Sequence, residues 1–149
     1  MQIFVCSGFA GNGAPLTIPE LERDDPEELA TMTWDQLRSL ADDGVEIGSH
    51  GVSHAHLPTL SDDELRRELT ESKEAIESEF GRPCTEIAYP YGEHDERVRA
   101  FARRAGYERA YGLRGRTGDP YAAPRLDLYR RHTVAQAVLL ATPLHRLVS

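Results

Sequence analysis

Cysteine is scarce in this chain. Two thiols, Cys6 and Cys84, in 149 residues exclude a disulfide-dense scaffold and leave the redox compartment open. Long apolar runs are missing as well. Nothing approaches the roughly 20 residues of a membrane-spanning helix, so no membrane span is expected. The opening Met1-Gln2-Ile3-Phe4-Val5-Cys6 has no basic leader, and its apolar run is too short for a secretion signal. As written, the sequence points to the cytoplasm. Positive charge is in deficit: 17 Lys and Arg against 25 Asp and Glu give a net charge of −8. That argues against nucleic acid and anionic membranes as partners, because both reward clustered cations. No internal repeat or linker marks a second domain, and the length suits one domain with one core. The glycine-rich stretch from Ser7 to Pro15 lacks the Lys and helix start of a phosphate cradle, so it reads as a loop.

What is present alternates between extended and helical signals. Ile3-Phe4-Val5 reads as a short buried strand. An acidic stretch over residues 20–30 reads as a solvated face. Thr33 with Gln36 forms a capping box, Leu37, Leu40 and Ala41 give one apolar face, and Gly44 stops the helix. Trp34 is expected to be a packing anchor. Ser61 with Glu64 is a second capping box. Leu65, Leu69, Ile76 and Phe80 continue at helical spacing until Gly81 and Pro83, and Glu68, Glu71, Lys73 and Glu74 fall on the wet face. Strands are expected at Thr85–Tyr89, Arg109–Leu113 and Arg125–Tyr129, with a helix from Asp95 to Gly106 between the first two. Arg97, Arg99, Arg103 and Arg104 on that helix are expected to offset the acidic helix 61–80. The residues from Val134 to Leu147 read as an apolar, helix-like tail. This alternation predicts an α/β fold with a mainly parallel sheet.

The chemistry concentrates after Val45-Glu46-Ile47. That segment alternates as a half-buried strand and then breaks at Gly48 and Gly51, with His50, His54 and His56 following. On a helical turn, His50 and His54 would share a face and could share a metal ion such as Zn²⁺. Two imidazoles are too few, so a third ligand would have to come from elsewhere. The same spacing also arises by chance on solvated loops. The missing Glu after His50 excludes the zinc-protease helix, which takes its base from His-Glu-x-x-His.

Glu46-Ile47-Gly48-Ser49-His50-Gly51-Val52-Ser53-His54 resembles the second motif of the polysaccharide deacetylase family, the NodB homology domain. Thr33-Trp34-Asp35-Gln36-Leu37, Leu57-Pro58-Thr59-Leu60-Ser61 and Ala88-Tyr89-Pro90-Tyr91-Gly92 fit the same family in order and spacing. The resemblance covers roughly residues 1–130. It implies a distorted (β/α) barrel, here incomplete, forming a single domain over 1–149 that is truncated at its N-terminus. It implies that His50 and His54 bind a divalent metal, zinc first, and that the Tyr91 backbone N–H helps bind a tetrahedral oxyanion. Tyr89 and Pro90 are expected beside the substrate, an acetylated carbohydrate. Ala88 stands where many members carry Arg.

The family's Asp-Asp pair, which supplies the base and the third metal ligand, would precede everything seen here. Asp42 and Asp43 are not that pair. They lie at a helix end, with the strand Val45–Ser49 between them and His50, roughly 20 Å at extended rise. His56, His94, His132 and His145 cannot be assigned the acid role by position. The expected function is therefore a metal-dependent hydrolase removing acetyl groups from a carbohydrate. The alternatives are an inactive fragment, a carbohydrate-binding relic, or an interaction module on the tail 134–147. Relatives are often exported. An unpartnered first strand would favour self-association.

Overall fold

The computed structural model describes residues 1–11, 13, 15, 30–113 and 118–125. Five strands run in the order β1 (Gln2–Val5), β2 (Glu46–Ser49), β3 (Glu86–Ala88), β4 (Arg109–Gly112) and β5 (Ala123–Pro124), each parallel to its neighbour. Spatial order equals chain order. Helices α1 (Trp34–Asp42), α2 (Asp62–Phe80) and α3 (Glu96–Arg104) lie between successive strands. Among the described residues the sheet does not close, and β1 and β5 are its edges. This is an open segment of a (β/α) barrel.

Local chemistry explains the elements. Gln36 N–H donates to the Thr33 hydroxyl at 3.3 Å, and the Gln36 side chain accepts from Thr33 N–H at 2.9 Å, closing the box that starts α1. Ser61 and Glu64 do the same for α2, with Glu64 Oε2 2.9 Å from Ser61 N. Gly81 ends α2 at φ 62°, the left-handed conformation that glycine adopts without a Cβ penalty. Along α2, Leu65, Leu69, Ser72 and Ile76 are buried, a stripe facing the sheet. Each fully buried Leu there contributes about 1.5–3 kcal/mol of transfer free energy. Ile87, Tyr89, Val98, Ala102, Tyr107 and Ala110 complete the centre of the core.

Several expectations need correction. β1 is only partly buried apart from Val5, because an edge strand has a neighbour on one side only. The last described strand is Ala123–Pro124; of the expected strand Arg125–Tyr129, residues 126–129 lie outside the described residues. Residues 126–149, which include the tail 134–147, His132 and His145, lie outside the described residues, as does most of the acidic stretch. Of the four arginines, only Arg97 reaches α2, pairing with Asp62 at 2.7 Å. Arg99 pairs with Asp119 at 3.4 Å, and Arg103 and Arg104 lie over the rings of Tyr121 and Phe101.

Candidate active site at the C-terminal ends of β2 and β3

All strands point the same way, so the loops leaving β1, β2 and β3 gather at one end of the sheet. His50 extends the β1–β2 pairing by one bond, its N–H donating to Val5 O at 2.8 Å. The loop leaving β1 then follows the loop leaving β2, with Ser7 N to Gly51 O and Gly8 N to Val52 O both at 3.0 Å. The segment 50–56 is not helical. The two imidazoles meet because the backbone turns at Gly51 (φ 79°) and again at His54 (φ 61°). Their ring centroids stand 4.9 Å apart, edge to face.

The orientation of His50 is set from β3. Its Nδ1 lies 2.6 Å from the carbonyl oxygen of Ala88. A carbonyl only accepts, so Nδ1 carries the proton, and in the neutral ring the lone pair is then on Nε2. The contact fixes the orientation of the ring relative to β3.

The turn after β3 supplies the opposite wall. Among the described residues, the non-glycine residues with positive φ are His54 and Tyr91 (φ 56°). Their rings touch, centroid to centroid 4.5 Å. Each such conformation costs on the order of 1–3 kcal/mol, and such strain clusters at functional sites. His56 stacks flat on the Tyr91 ring at 3.9 Å and 4°. Its Nδ1 lies 2.8 Å from Glu93 Oε2. Nothing in the sequence singled out this exposed imidazole–carboxylate pair.

Tyr89 and Pro90 are placed differently from expectation. Both are buried, and the Tyr89 hydroxyl donates to Tyr121 O at 3.0 Å. Burial pushes its pKa well up. Their side chains support the turn from below and do not line a wall that a sugar could touch. His94 lies against the Tyr89 ring at 5.1 Å, with Nδ1 3.2 Å from Arg99 Nη1. Asp42 and Asp43 are exposed at the other end of β2, in keeping with the expectation that they are not ligands.

On the β1 side the His pair opens onto a cavity of about 370 Å³, walled largely by Ile3, Phe4, Val5, Met32 and Leu37. Cys6 also lines it. Burial first, and the nearby Glu68 charge second, push the Cys6 thiol from 9.0 to about 12, so it stays protonated. Among the described residues, no group of three or more His, Cys, Asp and Glu side chains is arranged to hold a metal ion. The donors present fit two positions of such a site, as imidazoles suit zinc.

Glu68, which the sequence placed on the wet face of α2, belongs to this region. Its Oε2 accepts from Val52 N at 2.8 Å and Ser53 N at 3.1 Å, and its Oε1 accepts from Ser53 Oγ at 2.6 Å. One turn further along α2, Ser72 Oγ lies 2.6 Å from Ser49 Oγ, which also accepts from Gly51 N at 3.2 Å.

Comparison with known proteins agrees with this architecture. The sequence pattern of the polysaccharide deacetylase family matches residues 3–110. The protein YxkH of Bacillus subtilis (strain 168), named for the same family, is 31% identical over 104 residues, covering 69% of this chain and 36% of that protein. The chain thus spans about a third of the length of this curated relative. Among solved structures, the Streptococcus pyogenes deacetylase PplD, determined in complex with acetate, superposes with a TM-score of 0.74 at 18% identity. That match covers 95% of this chain and 58% of the other. A polysaccharide deacetylase from Bacillus cereus gives a TM-score of 0.64 at 25% identity, over 74% of this chain and 37% of its own. With the family pattern running through well over half of its length, from β1 into β4, this chain belongs to the polysaccharide deacetylase family.

Proposed function

We propose that this chain carries the histidine half of a metal-dependent deacetylase site acting on an acetylated carbohydrate. The observation that carries the reading is the His50–His54 pair, 4.9 Å apart, with His50 held through Nδ1 on the Ala88 carbonyl. His50 and His54 would hold a divalent ion, zinc first. When bound, such an ion supplies a Lewis acid for the acetyl carbonyl and lowers the pKa of water. Tyr91 presents the turn whose N–H would stabilise the developing oxyanion. His56, paired with Glu93, stacks on the Tyr91 ring beside that turn. The buried Tyr89 and Pro90 hold that turn in place.

A second reading is a non-catalytic carbohydrate-binding domain. It is favoured by the lack of a third metal-ligating side chain beside the pair among the described residues. Acetate release from acetylated chito-oligomers separates the two. Weak, zinc-dependent turnover that disappears in His50→Ala supports the first reading. Carbohydrate binding with no acetate released at any zinc concentration supports the second.

A further inference from the structure

We propose that Glu68 is a positioning residue for the His50–His54 pair, fixing the loop between the two imidazoles from the adjacent helix. This rests on the reading of those histidines as a ligand pair. The segment between them, Gly51-Val52-Ser53, has no regular secondary structure of its own. Its backbone N–H groups need acceptors. Gly51 N–H has the Ser49 hydroxyl, and one carboxylate supplies the other two: Glu68 takes the Val52 and Ser53 N–H groups, at 2.8 and 3.1 Å, and the Ser53 hydroxyl at 2.6 Å. Hydrogen bonds to an ionised acceptor are roughly twice as strong as neutral ones.

The grip has a second point. Glu68 and Ser72 stand four apart on α2, on one helical face. Ser72 reaches Ser49, immediately before His50, while Glu68 reaches Ser53, immediately before His54. Each histidine is thus anchored at its preceding residue by the same helix. The fit is close. A Cβ on Gly51 would come 2.9 Å from Glu68 Oε2, so glycine at 51 admits the carboxylate as well as the turn. The strained φ of His54 follows directly after the clamped residue, and such strain persists only where surrounding contacts over-determine it. Without Glu68, two backbone donors and a hydroxyl lose their acceptor, and the 50–54 turn is free to relax away from the separation the pair needs.

The test is zinc titration of the whole chain by calorimetry, with amide hydrogen exchange at Val52 and Ser53. The variants are Glu68→Ala, Glu68→Gln and Ser53→Ala, with Glu74→Ala as an exposed control on the same helix. Loss of an outer-sphere support typically weakens metal affinity about 10–100-fold, and that is the effect expected of Glu68→Ala, together with faster exchange at both amides. Glu68→Gln keeps one acceptor oxygen and falls between. Ser53→Ala leaves α2 intact and loses less, which keeps the test usable if Glu68→Ala folds poorly. Glu74→Ala binds zinc as the parent does.

Affinities in Glu68→Gln and Ser53→Ala equal to the parent's would overturn the proposal. So would unchanged amide exchange in a folded Glu68→Ala. If the parent chain takes up no zinc, the ligand-pair reading fails, and the amide exchange still decides whether Glu68 holds the loop.

Discussion

The two ends of β2 carry similar punctuation and opposite construction. At its start stand Asp42, Asp43 and Gly44; at its end, Gly48, Ser49, His50 and Gly51. Gly44 (φ 87°) and Gly51 (φ 79°) both turn left-handed. A Cβ on Gly44 would meet nothing within 4 Å, whereas one on Gly51 would meet Glu68 at 2.9 Å and Pro90 at 3.8 Å. The first end links a helix to a strand over solvent. The second is packed from β1, β3 and α2 at once. A glycine at a chain reversal therefore says that the backbone turns there, and only its surroundings say whether anything depends on the turn.

This contrast can be broken in several ways. The largest effect is expected at Cys6, beside the packed end. With its pKa near 12, against an ordinary 9.0, its thiolate fraction at pH 8 should be about 1000-fold below that of an ordinary thiol, and alkylation should slow accordingly. The raised value also fixes a sign. The folded state favours the protonated thiol, so stability is unaffected below about pH 9 and is lost as pH rises from 9.0 toward 12. Rapid labelling of folded protein at pH 8 would show that the site end is open to water.

Gly51→Ala should come next. Left-handed strain and displacement of the Glu68 carboxylate together should cost about 2–4 kcal/mol in denaturant unfolding. Gly44→Ala carries the strain without the crowding and should cost about 1 kcal/mol. Equal losses would erase the distinction between the two ends. Ser72→Ala should cost about 1–2 kcal/mol, since the Ser49 hydroxyl keeps its bond from Gly51 N but loses its buried partner. The smallest effect belongs to Asp42→Asn with Asp43→Asn. These exposed residues should change stability by less than about 0.5 kcal/mol and leave zinc affinity unchanged.

The same contrast explains what the sequence disclosed. Both capping boxes, the Gly81 stop and the apolar stripe of α2 were legible because they are local: a cap lies three residues from its partner, and a stripe repeats every turn. His50 and His54 were legible as candidates because they are close in sequence. The reason they meet was not legible. It is the turn at Gly51 and His54, held from helix α2, and not a helical face. Glu68 was invisible in its role because an acid on a polar helix face looks like every other solvated acid until the fold brings residues 52 and 53 beneath it. Tyr89 shows the reverse error. Two residues before Tyr91, it would share that residue's side if the strand continued, but the strand ends at Ala88 and the chain turns left-handed at Tyr91 (φ 56°), which leaves Tyr89 buried with its hydroxyl on Tyr121 O. The cavity against β1 had no local signal, since it depends on which strand lies at the edge of the sheet.

Zinc binding by the His50–His54 pair is the claim on which the rest depends. Calorimetric titration of the parent chain, His50→Ala and His54→Ala with Zn²⁺, at a temperature where all three are folded, tests it directly. The account predicts one saturable site in the parent and its loss in each single variant, because neither imidazole alone holds the ion. Uptake in His50→Ala equal to that of the parent would contradict it.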